Sequence, residues 1–168
     1  MTAKTTPNFL LLGESDSSFR WPWTMTEGLA VLVGGSGGGG GGGSGASRLK
    51  GGLGGGGGIG GSPTFIEVEG QQRYGADGGR GGNGGRGASA DGVNEIVRGG
   101  SGYPGYPGQL ILVHLNALSL GKKINVSVGS GGDGGRGASG QFPGNDGDAG
   151  SSGFVLFVPL LAMDQRLQ

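Results

Sequence analysis

The chain has no cysteine, which excludes a disulfide framework and a thiolate zinc site. It has no net charge, because 12 Lys and Arg balance 12 Asp and Glu. A neutral chain gains little from counterion release, so nucleic acid is not expected as its main partner. Long apolar runs are missing as well. Leu110 to Leu115 is among the longest, far short of the roughly 20 residues that cross a bilayer as a helix. The first residues, Met1 to Pro7, lack the apolar core and cleavage site of a secretory signal. A soluble chain is expected, made and kept in a reducing cytoplasm or released by lysis, with no membrane insertion. No stretch has the apolar spacing of an amphipathic helix.

Glycine is what the chain has, at 48 of 168 residues. It has no side chain to bury, and ordering it carries the largest backbone entropy cost of any residue. The glycines cluster between short apolar runs. Gly28-Leu-Ala-Val-Leu-Val33 leads directly into polyglycine, Gly37 to Gly43. Glycine-rich territory extends from Gly34 to Ser62, then from Gly75 to Gly87, then from Gly129 to Gly140. Strands are expected at Leu29–Val33, Thr64–Glu69, Leu110–Leu115, Ile124–Val128 and Phe154–Val158. Phe9 to Leu12 and Val93 to Val97 are shorter apolar patches. Tyr103-Pro-Gly-Tyr-Pro-Gly108 reads as turn chemistry.

Two glycine blocks share a repeat of period three. Asp77-Gly-Gly-Arg-Gly is followed by Asn83-Gly-Gly-Arg-Gly-Ala-Ser89, and Asp133-Gly-Gly-Arg-Gly-Ala-Ser139 repeats it downstream. An extended left-handed helix of the polyproline II class has three residues per turn and rises about 3.1 Å per residue. Period three therefore puts Asp77, Arg80, Asn83 and Arg86 on one face and leaves the other two bare. Bare faces let backbones approach and pair sideways, since such a helix has no internal hydrogen bonds. Collagen needs long proline-rich triplet runs, which are absent. A flexible Gly/Ser linker is the ordinary reading of such tracts. It explains neither the period nor the alternation with strands.

Chemical motifs are weak. Gly129-Ser-Gly-Gly-Asp-Gly134 fits the dinucleotide fingerprint in form, but more glycine follows and no helix can begin to meet a pyrophosphate. Asn145-Asp-Gly-Asp148 clusters oxygens without the rest of a calcium loop, so a polar turn is the better reading. Arg80-Gly-Gly and Arg98-Gly-Gly resemble RNA-binding segments, but Asp77 and Asp133 interrupt the positive charge. His114, the only histidine, sits in an apolar strand and reads as a hydrogen-bonded or interface residue. No catalytic constellation emerges, so neither an enzyme nor a cofactor is expected.

Three stretches carry a family likeness. Trp23-Thr-Met-Thr-Glu-Gly28, running on through Leu29-Ala-Val-Leu-Val33 into Gly34-Gly-Ser-Gly-Gly-Gly39, resembles the opening of a glycine-rich domain of bacteriophage tail and tail-fibre proteins. Leu120-Gly-Lys-Lys-Ile-Asn-Val-Ser-Val-Gly-Ser-Gly-Gly-Asp-Gly-Gly135 is similar to its second signature. Gly147-Asp-Ala-Gly-Ser-Ser-Gly-Phe-Val-Leu-Phe-Val158 resembles its closing strand. The likeness covers about residues 23–158. It is also similar in kind to the tip adhesins of T-even-like long tail fibres, whose polyglycine II helices form a sandwich.

The expected fold is mainly β and irregular, with short strands packed on a bundle of polyglycine II-type helices and little or no α-helix. Residues 1–22 are expected to form a docking segment and 23–168 the glycine-rich domain. The resemblance implies a virion protein of the tail tip or fibre, made in the host bacterial cytoplasm. Its implied partners are other phage tail proteins, copies of itself in a trimer, and a host surface protein or glycan. Loops around 63–74, 91–108 and 141–149 are expected to face outward, with Tyr103, Tyr106, Phe142, Phe65 and Tyr74 as receptor contacts. Phe19, Trp21 and Trp23 are expected to dock on the virion. A purely architectural tail role is one alternative. An ice-binding protein is another, although the charged columns Asp77, Arg80, Arg86, Asp133 and Arg136 disfavour it.

Overall fold

Eight short strands carry the side-chain core. They are β1 (Leu10–Gly13), β2 (Ser17–Arg20), β3 (Glu27–Val33), β4 (Thr64–Val68), β5 (Arg73–Ala76), β6 (Leu110–Leu115), β7 (Lys123–Ser127) and β8 (Phe154–Leu160). The computed structural model describes residues 10–13, 17–20, 27–46, 50–88, 97–116, 119 and 121–160. The strands form two four-stranded antiparallel sheets, ordered β1-β8-β3-β6 and β2-β7-β4-β5. The fold is mainly β, with almost no helix among the described residues.

Alternation decides what each strand buries, because successive side chains point to opposite faces. Ala30 and Leu32 of β3, Val113 and Leu115 of β6, and Val155 and Phe157 of β8 point inward from the first sheet. Ile66 and Val68 of β4, Ile124 and Val126 of β7, and Ala76 of β5 meet them from the second. Each fully buried Leu, Ile or Val contributes roughly 1.5–3 kcal/mol relative to exposure. The β4–β5 hairpin closes through Gly70, whose φ of 70° lies in the left-handed region that glycine adopts without a Cβ penalty.

Six of the strands continue directly into glycine-rich segments that are neither helix nor strand. Residues 34–46 follow β3, 51–62 precede β4, 77–88 follow β5, 97–109 precede β6, 129–138 follow β7 and 142–153 precede β8. These segments pair laterally through their backbones, and 34–46 lies at the centre. Its amides donate in rotation to three neighbours. Gly34, Gly37, Gly40, Gly43 and Ala46 donate to the carbonyls of Gln109, Tyr106, Tyr103, Gly100 and Val97. Gly35, Gly38, Gly41 and Ser44 donate to Ser62, Ile59, Gly56 and Leu53. Ser36, Gly39, Gly42 and Gly45 donate to Ser151, Asp148, Asn145 and Phe142. These bonds measure 2.7–3.0 Å.

The central carbonyls complete the pattern. Gly35, Gly38, Gly41 and Ser44 accept from Gly79, Gly82, Gly85 and Ala88, while Ser36, Gly39 and Gly42 accept from Gly132, Gly135 and Ala138. The outer segments pair with one another in the order 97–109, 77–88, 51–62, 129–138, 142–153. At most central positions no side chain could enter such packing. A Cβ on Gly37 would overlap the carbonyl of Arg80, and one on Gly38 that of Asp133.

Several expectations are corrected. Tyr103-Pro-Gly-Tyr-Pro-Gly108 is not a turn but an extended flank of the bundle. Proline fits because only the amides of Gly100, Tyr103, Tyr106 and Gln109 are used there, and Pro104 and Pro107 fall between them. Asn145 to Asp148 is likewise a bundle segment, with the Asp146 carboxylate accepting from Gly137 N–H at 2.7 Å. Within residues 1–22, β1 and β2 pair with β8 and β7 inside the sheets. β2 and β5, both four residues long and without a run of apolar residues, were not expected as strands.

Candidate binding surfaces

The sequence-derived contact residues do not converge on one place. Tyr103 and Tyr106 lie three residues apart on segment 97–109, each 64% exposed. Their backbone carbonyls face the central segment and hold the chain, leaving the rings free. Phe142 is half-buried. Its carbonyl accepts from Gly45, and its Cβ lies 2.9 Å from where a Cβ on Gly45 would sit. Phe65 and Tyr74 belong to the second sheet. The Phe65 ring covers Gly75, its cross-strand partner, and the Arg73 guanidinium stacks on it at 3.7 Å. Tyr74 packs against the core cluster.

Of the expected docking residues, Phe19 is committed to packing. Its ring meets Phe157 edge-on, with centroids 4.8 Å apart and planes at 76°. Trp21 and Trp23 lie outside the described residues. Val93 to Ile96 lie outside them too.

Three surfaces are open among the described residues. The outer face of the first sheet is apolar. Leu11, Leu156, Val31 and Leu112 form one row across β1, β8, β3 and β6, with Leu110 and Leu112 about 60% exposed at the edge. His114 Nε2 lies 3.5 Å from Glu27 Oε2 on that face. The outer face of the second sheet is polar. It holds a shallow depression of about 480 Å³ lined by Ser18, Phe65, Glu67, Arg73 and Asn125. The third surface is a groove of about 920 Å³ between segments 98–105 and 142–151, floored by the central segment.

The charged columns face outward as the period implied. Asp77, Arg80, Asn83 and Arg86 are exposed on one segment, and Asp133 and Arg136 on another. Among the described residues, no group of three His, Cys, Asp or Glu is placed to hold a metal ion. No helix of the described residues is long and apolar enough to cross a membrane.

Sequence reasoning missed the groove and the apolar sheet face. The groove had no signal, since it is made by which segments fail to meet. The sheet face had one: Leu29, Val31 and Val33 alternate with the buried residues of β3, so both faces of that strand are apolar. No family model matches the chain, and no curated protein or solved structure is similar to it.

Proposed function

We propose that this chain is a non-catalytic structural protein of a bacteriophage tail tip or fibre that contributes to host adsorption. In this reading the glycine segments are polyglycine II-type helices, and they act as a stiff mount for exposed residues. The hydrogen bonding of residues 34–46 carries the reading. Successive amides turn to three different neighbours and return to the first every third residue, the repeat of a three-residue helix. A linker would have no such order.

A stiff mount suits adhesion because contact residues held in place lose little further entropy on binding. Tyr103 and Tyr106 supply large rigid surfaces on that mount. They are the proposed contacts to a host surface protein or glycan. Phe65 with Arg73, on the polar sheet face, is a second contact area. The apolar row through Leu11, Leu156, Val31 and Leu112 is the proposed seat on a neighbouring tail protein, replacing Phe19 in that role. Exposed contiguous apolar surface of this kind marks interaction sites.

The test is adsorption. Purified protein added to host cells should slow adsorption of the phage that carries it, and virions lacking it should adsorb poorly. If such virions adsorb normally, the adhesive role is lost and an architectural role through the apolar sheet face remains.

A further inference from the structure

The ring of segments around residues 34–46 has a gap. Its order is 97–109, 77–88, 51–62, 129–138, 142–153, and no hydrogen bond joins the last to the first. The groove of about 920 Å³ lies there. Three rows of backbone groups face it without partners among the described residues. The carbonyls of Gly37, Gly40 and Gly43 form the floor. Along one wall, Gly100, Tyr103 and Tyr106 donate to segment 77–88, which leaves the amides of Gly99, Gly102 and Gly105. Along the other, Gly144, Gly147 and Gly150 donate to segment 129–138, which leaves the amides of Asn145 and Asp148.

The floor glycines give a second, independent observation. At Gly34, Gly37, Gly40 and Gly43 a Cβ would overlap carbonyls of segment 77–88, and at Gly35, Gly38 and Gly41 carbonyls of segment 129–138. Those glycines are required by this chain's own packing. At Gly39 and Gly42 the nearest atoms are amide nitrogens of Asp148 and Asn145, at 3.5 and 3.4 Å, ordinary contact distances. Both residues are also only half-buried, while their neighbours on either side in the central segment are buried. Nothing among the described residues requires glycine there. By the threefold repeat, a methyl at 39 or 42 would overlap a carbonyl of a sixth segment.

We propose that the groove binds an extended Gly-Gly-Xaa segment of a partner protein, lying alongside residues 37–45 as the sixth neighbour of the central segment. The two segments that donate to central carbonyls both run parallel to it, Gly79 to Ala88 and Gly132 to Ala138. The occupant runs parallel for the same reason. Its amides bond Gly37, Gly40 and Gly43, and its carbonyls accept from Gly99, Gly102, Gly105, Asn145 and Asp148. Ser36 closes one end, its Oγ already accepting from Ser151 N–H at 2.7 Å, and Phe142 closes the other beside Gly45. That leaves room for about three triplets, roughly 28 Å at the rise of such a helix. None of residues 1–168 outside the described ones supplies the occupant, because they hold a single glycine, Gly92. A second copy has its own glycine tracts in its own bundle. The inference rests on the lateral pairing of the segments and not on the virion role.

The experiment uses the whole chain, labelled for amide NMR, titrated to millimolar concentration with a capped peptide of three Gly-Gly-Ser triplets. Saturable shifts are expected at Gly99, Gly102, Gly105, Asn145 and Asp148, with none at Gly54, Gly57 and Gly60 on the opposite side. A peptide of Gly-Ala-Ser triplets should not bind. The double variant Gly39→Ala, Gly42→Ala should weaken binding at least tenfold with an unchanged denaturation midpoint. Absent shifts, equal binding of the alanine peptide, or indifference to the double variant would each overturn the proposal. Groove shifts that grow with protein concentration alone would give the site to a second copy and overturn it equally. Slow amide exchange across residues 34–46 in the same sample separates failure of the groove from failure of the bundle, and phage adsorption does not depend on whether the groove is filled.

Discussion

Gly40 donates its amide to the carbonyl of Tyr103 at 2.8 Å, so the most exposed aromatic pair of the bundle is mounted on its most enclosed segment. Segment 97–109 is held by this bond and its repeats at Gly37, Gly43 and Ala46. Side-chain packing contributes little there. Backbone bonds net only about 0.5–1.5 kcal/mol each, so the mount depends on their number and on the close approach that makes them possible.

Close approach can be tested by adding one methyl. A Cβ on Gly40 would overlap the carbonyl of Asn83, a backbone atom that cannot move aside. Gly40→Ala should cost about 1–3 kcal/mol or more, as overpacking does. Gly100→Ala, with its nearest atoms at 3.5 Å, should be neutral or stabilise by about 0.4–1 kcal/mol by restricting the unfolded chain. Denaturant midpoints of the two variants check the pair.

Hydrogen exchange should follow the bonding and not the composition. Amides of Gly37, Gly38, Gly40 and Gly41 are paired and buried, and should exchange only on global or near-global opening. Gly54, Gly57 and Gly60 sit in equally glycine-rich sequence, but their amides have no partner among the described residues and should exchange orders of magnitude faster. Uniformly fast exchange across 34–46 would remove the basis of the stiff mount.

A buried hydroxyl helps to hold the junction between sheet and bundle. Thr64 is fully buried, and its Oγ1 accepts from Gly129 N–H at 2.9 Å. Thr64→Val keeps the shape and leaves that amide unsatisfied, which should cost about 1–3 kcal/mol. Thermal unfolding measures the loss, and Thr64→Ser should recover most of it.

Tyr103→Ala with Tyr106→Ala should leave stability within about 0.5 kcal/mol, since both rings are largely exposed. Under the adhesive reading the same double variant should lose its ability to slow phage adsorption. Retained competition would move the contact area to Phe65 and Arg73 on the second sheet.

The strands of the core were legible because their apolar residues are local and dense. β3, β4, β6, β7 and β8 fall within two residues of where the apolar runs put them. β2 and β5 were not legible, as four residues without an apolar run become a strand only beside an existing sheet edge. The proline repeat Tyr103 to Gly108 misled for a physical reason. The φ that suits a turn also suits an extended three-residue helix, and proline's missing amide matters only where a neighbour needs it.

The amino-acid order by itself determined that backbones would pack on backbones. Period three fixes which faces are bare, and the unbroken run Gly37 to Gly43 is bare on all three, which lets it be surrounded. Only the tertiary structure decided which segments surround it, in which direction they run and where the ring stays open. Glycine columns carry no side-chain code to distinguish one neighbour from another, so the sheet order of the attached strands selects the partners and leaves the gap between the segments leading to β6 and β8.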